Sequence, residues 1–256
     1  MDGVLLGDKA GDRFSFVGGE IKDTGNRGPQ EHWAVHGVYA SGGHGHVFDG
    51  VEYGDNDNGC SLSLRRGDVT VRNCVFHGGK MLCNNNEDEG SVNPYTGTAS
   101  KSLEYRVYRN LFVGPGTVHQ GGNNDQGIDD PGNTWAVFNN TFVDTTVNFG
   151  STAGTAQYYD IYLRNNVFVG GAVQMKAPVS GHVHVLSNNG WWKAGTPQGS
   201  GNVSTDPGID ASGRVTSAGY RDVGTKAVAP GIALVPSGGD PLGYVGVGPD
   251  IGREEH

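Results

Sequence analysis

The sequence has no long apolar run. Nothing in it approaches the roughly 18 residues of a membrane-spanning helix, so no membrane span is expected. Stretches of helical period are missing too, and helix formers are thin, which disfavours an α-rich fold. Cysteine is scarce: Cys60, Cys74 and Cys83 are three, an odd number too few for a disulfide framework. Buried free thiols are expected ahead of a metal or nucleophile role. Positive charge is also short, with 18 Lys and Arg against 27 Asp and Glu and a formal charge of −9. Nucleic-acid binding runs on phosphate neutralisation, so no nucleic-acid partner is expected. Met1–Ala10 lacks a basic segment followed by a long apolar one, and no export signal is read there. The Gly-X-Y period of collagen is absent. Apolar residues recur along the chain at 35%, which argues against a wholly disordered polymer.

What the chain does have is glycine, 45 residues of it alongside 11 prolines, and an internal repeat. Turn-rich sequence without helical period reads as all-β. Val69-Thr-Val-Arg-Asn-Cys-Val-Phe76, Tyr105-Arg-Val-Tyr-Arg-Asn-Leu-Phe112, Trp135-Ala-Val-Phe-Asn-Asn-Thr-Phe142 and Ile161-Tyr-Leu-Arg-Asn-Asn-Val-Phe168 share one pattern. Weaker copies run from Phe14 to Ile21, from His46 to Tyr53 and around Val183 to Trp191. The closing residues Ile21, Tyr53, Phe76, Phe112, Phe142, Phe168 and Trp191 are separated by 32, 23, 36, 30, 26 and 23 residues.

Period-2 alternation on either side of a fixed polar pair predicts two short strands joined by a tight bend. Asparagine suits such a bend because it tolerates left-handed backbone angles. Asn73, Asn139, Asn165 and Asn188 recur there, and in stacked copies their amides would bond one another as a ladder. A third strand is read between copies, at residues 36–41, 59–65, 80–83, 127–130 and 172–176. Three short strands per repeat do not make four-stranded propeller blades of about 40 residues. A parallel coil with loops swelling at some corners fits better. In that coil Cys60 and Cys83 share an inward parity and read as stacked core thiols.

These repeats, with His36-Gly-Val-Tyr39 opening one of them, resemble the right-handed parallel β-helix superfamily, the group that includes pectate-lyase-like proteins. Asp206-Pro-Gly-Ile-Asp210, Ala229-Pro-Gly-Ile232 and Asp250-Ile-Gly-Arg-Glu254 are similar to the closing segments of its extracellular members, with Ala-Pro-Gly where Ser-Pro-Ala is usual. The resemblance implies an all-β right-handed parallel β-helix, a solenoid of about seven coils, over residues 1–200, with an irregular tail over 201–256 packing on it as a cap. It implies work outside the cell on a polysaccharide, as a monomeric enzyme cleaving an acidic polymer in lyase-like or glycoside-hydrolase-like fashion. The fold also hosts non-catalytic modules. A structural or receptor-binding part such as a phage tail or virion component, which would be a trimer, is the alternative, and a sugar-binding module without chemistry is a third.

Two insertions, Asn84 to Ser102 and Gly114 to Gln126, adjoin one third strand and read as walls over its face. If Cys60, Leu62 and Leu64 point inward, alternation turns Ser61, Ser63 and Arg65 outward, and likewise Tyr39, Lys80, Asp129, Gln174 and Lys176. Elimination from a uronic-acid polymer needs a cation beside the carboxylate, a base and an acid. Lys80 or Arg65 would neutralise or act as base, Lys101 or Arg106 would assist, and His119 would donate a proton. Hydrolysis instead needs two carboxylates about 5–10 Å apart. Asp129, Asp130 and Asp125 would supply one, with Glu87, Asp88 or Glu89 opposite. Hard oxygen ligands from Asp125, Glu87, Asp88 and Glu89 would suit Ca2+, although the spacing has no EF-hand or nonapeptide repeat. No other cofactor is indicated. The bland readings are a solvated Lys80, a solvated acidic loop, surface or core histidines at His44-Gly-His46 and His182-Val-His184, and a core role for Trp191 and Trp192. Asn139-Asn-Thr141 matches a glycosylation sequon, but a ladder position would bury it.

Overall fold

Alternating apolar residues on either side of a left-handed corner set the architecture. The computed structural model describes residues 4–6, 13–22, 36–40, 45–54, 59–64, 69–84, 104–120, 134–149, 160–175, 177–178, 180–230, 232–233, 235–236, 243–244 and 251–252. Over these residues the protein is all-β with almost wholly parallel pairing, and its one helical element is a 3-10 turn at Ala218–Tyr220. Among them no helix is long and apolar enough to cross a membrane.

The described strands up to residue 192 fall into three parallel ladders, and the later ones form two small two-stranded sheets. The first contains β2 (Ser15–Val17), β5 (His46–Asp49), β8 (Val69–Arg72), β10 (Glu104–Tyr108), β12 (Thr134–Phe138), β14 (Asp160–Arg164) and β17 (His184–Ser187). The second contains β3 (Glu20–Ile21), β6 (Glu52–Tyr53), the first parts of β9 (Val75–Asn84), β11 (Leu111–Gln120) and β13 (Thr141–Phe149), then β15 (Val167–Val169) and β18 (Gly190–Trp192). The third contains β1 (Val4–Leu6), β4 (Val38–Ala40), β7 (Cys60–Leu64), the later parts of β9, β11 and β13, and β16 (Ala172–Met175). From β2 to β18 the chain visits the ladders in the order one, two, three, and each visit lays a strand in parallel beside the last.

Register turns the repeat into stacked rows. Tyr53, Phe76, Phe112, Phe142, Phe168 and Trp191 stack with centroid spacings of 4.6, 4.8, 4.8, 5.0 and 4.7 Å. That is the strand spacing of a parallel sheet, so each aromatic lies on its counterpart one repeat away. The closing residues read from the sequence are therefore the spine of the core. Tyr105 and Trp135 stack likewise in ladder one, at 4.7 Å.

Between ladders one and two the chain turns at one left-handed residue per repeat: Gly18, Gly50, Asn73, Arg109, Asn139, Asn165, Asn188 and Gly201, all with φ between 53° and 67°. The asparagine ladder is built from the next residue. Asn110 Nδ2 donates to Asn140 Oδ1 at 3.0 Å, Asn140 Nδ2 to Asn166 Oδ1 at 2.9 Å, and Asn166 Nδ2 to Asn189 Oδ1 at 3.2 Å. Each of these asparagines also donates to a core-strand carbonyl of the preceding repeat, Val71, Val107, Val137 and Leu163 in turn. All four are fully buried. The expected bonding among Asn73, Asn139, Asn165 and Asn188 is met at one step, where Asn165 Nδ2 donates to Asn139 Oδ1 at 3.3 Å; these residues make the turn, and the continuous ladder runs one position later, through Asn110, Asn140, Asn166 and Asn189.

The end of the chain packs on the outside. Val203 bridges Gly190, and Asn202 Oδ1 accepts the Asn189 N–H at 3.0 Å, so the ladder runs one step further. Val215, Tyr220 and Ile251 then cover Val167 on ladder two, while Val228 and Ala229 cover Tyr108, Ala136, Phe138 and Tyr162 on ladder one. Between these patches Asn165 bonds the Thr225 backbone in both directions, at 2.7 and 2.9 Å.

Candidate functional site

The outer face of ladder three carries the groups best suited to bind something. In β11, β13 and β16 the residues Val118, Val147, Phe149, Val173 and Met175 enter the core, which sends Thr117, Thr146, Asn148 and Gln174 to the opposite face. Thr117 lies in register with Lys80 on one side and Thr146 on the other, and Asn148 with Gln174. Lys80 and Gln174 are exposed, and Thr117, Thr146 and Asn148 are half-exposed. None of these five side chains has a hydrogen-bond or ion-pair partner among the described residues. Among the described residues the result is a row of neutral donors and acceptors free of protein partners, at strand spacing, with one ammonium at its end.

Other sequence candidates fall on this ladder in part. Tyr39 is half-exposed and stands in register with Ser63, which leads through 83, 119 and 148 to Gln174. Ser61 and Ser63 do point away from the core but are buried, at 2% and 0% exposure, so they are not part of an open groove. Ser61 donates to the Gly54 carbonyl, and the Ser63 hydroxyl has no partner among the described residues. Position 119 lies on a strand rather than on a loop wall, because β11 continues to Gln120. The ladder-three place assigned to 127–130 is filled by the later part of β11, which pairs with β9 and β13 there. Arg106 lies on ladder one, in register with Thr70 and Ala136, where it pairs with Glu104 at 2.5 and 3.0 Å. It does not join Lys80.

Arg65, Lys101, Asp129, Asp130 and Lys176 lie outside the described residues, as do the calcium candidates Asp125, Glu87, Asp88 and Glu89. Among the described residues no three His, Cys, Asp or Glu side chains converge. The free-thiol expectation is corrected at Cys60, which is disulfide-bonded, and register sets Cys60 beside Lys80 and position 83 beside Ser63. Cys74 is free and buried, and burial pushes its thiol up to about 12, too high for a nucleophile at neutral pH.

Three residues the sequence reading passed over, Thr117, Thr146 and Asn148, complete the face. Their signal is the alternation Thr117-Val-His-Gln120 and Thr145-Thr-Val-Asn-Phe149, masked by the glycines and proline that precede the first.

Two further polar groupings are structural. Glu52 accepts from Lys22 at 3.3 Å and lies 3.1 Å from His77 Nε2, and the Lys22 contact, with help from His77, holds its carboxyl below the usual range. Arg72 binds Asp49 at 2.7 and 2.9 Å and donates to the Tyr108 hydroxyl at 3.2 Å. Asn139, the sequon residue, is 2% exposed and accepts from Asn165. No model of a known family, no curated protein and no solved structure matches the chain.

Proposed function

We propose that the chain winds as a right-handed parallel β-helix of about seven coils and binds an acidic polysaccharide along the outer face of ladder three. The observation that carries this is the row Lys80, Thr117, Thr146, Asn148 and Gln174, half-exposed or exposed and without a side-chain partner among the described residues. Neutral hydrogen-bonding groups at strand spacing suit hydroxyl-rich ligands, and a lone cation among them favours a carboxylate. In this reading Lys80 neutralises a uronate at one end of the face and the polar row holds the sugars that follow it along the ladder. Neutralising that carboxylate acidifies the neighbouring C–H, the first requirement of lyase-like cleavage, and a hydrolase would use the same row for binding. An enzyme of this kind would act as a monomer outside the cell. The Cys60 disulfide supports that location, since such bonds persist in oxidising compartments.

The same face also suffices for a binding module. Its described groups are suited to binding and need no chemistry beyond it, which favours a receptor-binding or structural part, trimeric if it belongs to a virion, as the second reading. The test is incubation with pectin, alginate and hyaluronan, following ultraviolet absorbance of unsaturated product, reducing ends, and retention in polymer-containing gels. Lys80→Ala should weaken retention on acidic polymers about tenfold, the worth of one charge-assisted contact. Retention without product would favour the binding module. No retention on any acidic polymer, or a Lys80→Ala protein that binds like the parent, would refute the groove.

A further inference from the structure

The last full rung of the asparagine ladder sits on a chemically labile pair. Asn-Gly occurs twice in the sequence, at Asn58-Gly59 and at Asn189-Gly190. A backbone nitrogen following asparagine can attack the side-chain amide, and glycine permits this best because it carries no side chain to obstruct the five-membered ring. Elsewhere on the ladder the following residue is bulky or branched: Leu111 after Asn110, Thr141 after Asn140, Val167 after Asn166. At the last full rung two separate packing demands impose Asn-Gly. Asn189 must be an amide, since its Nδ2 donates to the Leu163 carbonyl at 2.8 Å while its Oδ1 accepts from Asn166 N and Nδ2 at 2.9 and 3.2 Å. Residue 190 must be glycine, since a Cβ there would stand 2.2 Å from the Tyr220 ring.

We propose that Asn189 is a spontaneous modification site governed by folding. In the native ladder both reacting groups are occupied. The Gly190 N–H donates to the Asn166 carbonyl at 2.7 Å, and the Asn189 side chain, fully buried, is held by three hydrogen bonds. In the unfolded chain nothing holds them. The Gly190 nitrogen gives up its proton and attacks Asn189 Cγ. The new C–N bond forms as the Cγ–Nδ2 bond breaks, and ammonia leaves. Water then opens the cyclic imide at one of its two carbonyls, giving aspartate or its β-linked isomer. No oxidant or reductant is involved. Either product lacks the Nδ2 donor, leaves the Leu163 carbonyl unpaired, and places a carboxyl group in a buried site. The modified chain cannot remake the rung, so unfolding becomes one-way at this position.

The native fraction unfolded at any moment is of the order of 10⁻³ or less, so the folded protein should modify Asn189 about a thousandfold more slowly than the unfolded chain. The experiment ages wild-type protein at mildly alkaline pH, folded and in strong denaturant, and reads the amide-to-acid mass change in the peptide spanning 184–193. That peptide is scored separately from the one carrying Asn58. Samples aged unfolded should lose refolding yield in step with the modified fraction at 189. Asn189→Asp, which is one of the products, should unfold at a clearly lower denaturant concentration than wild type. Equal rates in folded and unfolded samples, an unmodified Asn189 after unfolding, or an Asn189→Asp protein as stable as wild type would each overturn the proposal.

Discussion

Replacing Asn140 by alanine should cost the protein about 4 kcal/mol, a large share of a typical domain's stability. Asn140 is fully buried. Its Oδ1 accepts from the Asn110 backbone N–H and from Asn110 Nδ2, both at 3.0 Å. Its Nδ2 lies 2.8 Å from the Val107 carbonyl, 3.1 Å from that of Phe138 and 2.9 Å from Asn166 Oδ1. Alanine removes all of these, leaving at least the Asn110 N–H and the Val107 carbonyl without this partner. Each stranded buried group costs about 1–3 kcal/mol, and the lost net bonds add to that. Asn73 supplies the control, an exposed turn residue whose side-chain amide bonds, among the described residues, Asp49 alone, at 2.7 Å. Its replacement by alanine removes one surface bond and puts a residue less tolerant than asparagine at the left-handed angle, about 1–2 kcal/mol. Urea unfolding followed by the buried Trp135 and Trp191 measures both. If Asn140→Ala lost no more stability than Asn73→Ala, the ladder would be decoration and the reasoning would fail.

Three further outcomes are expected. Cys74 occupies the ladder position ahead of Asn110, its Sγ 3.6 Å from the Phe48 carbonyl and its N–H donating to Asn110 Oδ1, so Cys74→Asn should be tolerated or stabilising; a loss of more than about 2 kcal/mol in urea unfolding would contradict the rung geometry. Gly171 has φ +63° and a Cβ there would meet the Thr145 carbonyl oxygen at 2.2 Å, so Gly171→Ala should cost more than the ~1 kcal/mol of a left-handed angle alone, whereas Gly181→Ala, also left-handed but in open space, should cost only that. Burial, with His182 adding and Asp160 opposing, depresses the pKa of His184 below its ordinary value. The unfolded chain therefore takes up that proton first, and stability should fall as pH drops through about 6.5 and level off below the folded pKa. Thermal melts between pH 7 and 5 should show this slope, and His184→Gln should flatten it; an unchanged slope in the variant would assign it elsewhere.

The parallel ladders were legible because the repeat fixes both ends of its pattern, an apolar alternation and an aromatic closer, and stacking keeps like with like. The inner asparagine was missed by one residue because three corners read Asn-Asn, at 139–140, 165–166 and 188–189. Position 109 breaks the tie, since an arginine is a poor occupant of a core rung, which makes Asn110 the inner residue. The site was harder to read. Gly114, Pro115 and Gly116 look like the start of a loop, yet the chain runs through them into ladder three, so Thr117 was taken for a wall. Ser61 and Ser63 had the right parity, but parity says which side a residue faces and not whether that side is open. The Cys60 disulfide was discounted because an odd count of three was read as too few, although one pair and one free thiol satisfy it equally well.

Lys80 reaches the outer face through a local irregularity that a strict alternation would miss. Lys80 pairs with Thr117 while Leu82 pairs with Val118, so β9 carries one residue more than β11, and that residue is Met81. Such an insertion makes both Met81 and Leu82 core residues, each at 0% exposure, and leaves Lys80 beside an outward threonine. Were β9 in uniform register from Leu82, Lys80 would stand opposite Gly116 and share the inward parity of Leu82. Gly116 is what makes the bulge affordable in space: a Cβ there would lie 2.7 Å from the Met81 methyl group, and Thr145 Oγ1 lies 3.9 Å from the Met81 sulfur on the far side. The cation of the candidate groove thus owes its position to a buried methionine and the glycine packed on it, neither of which carries a group suited to bind a ligand.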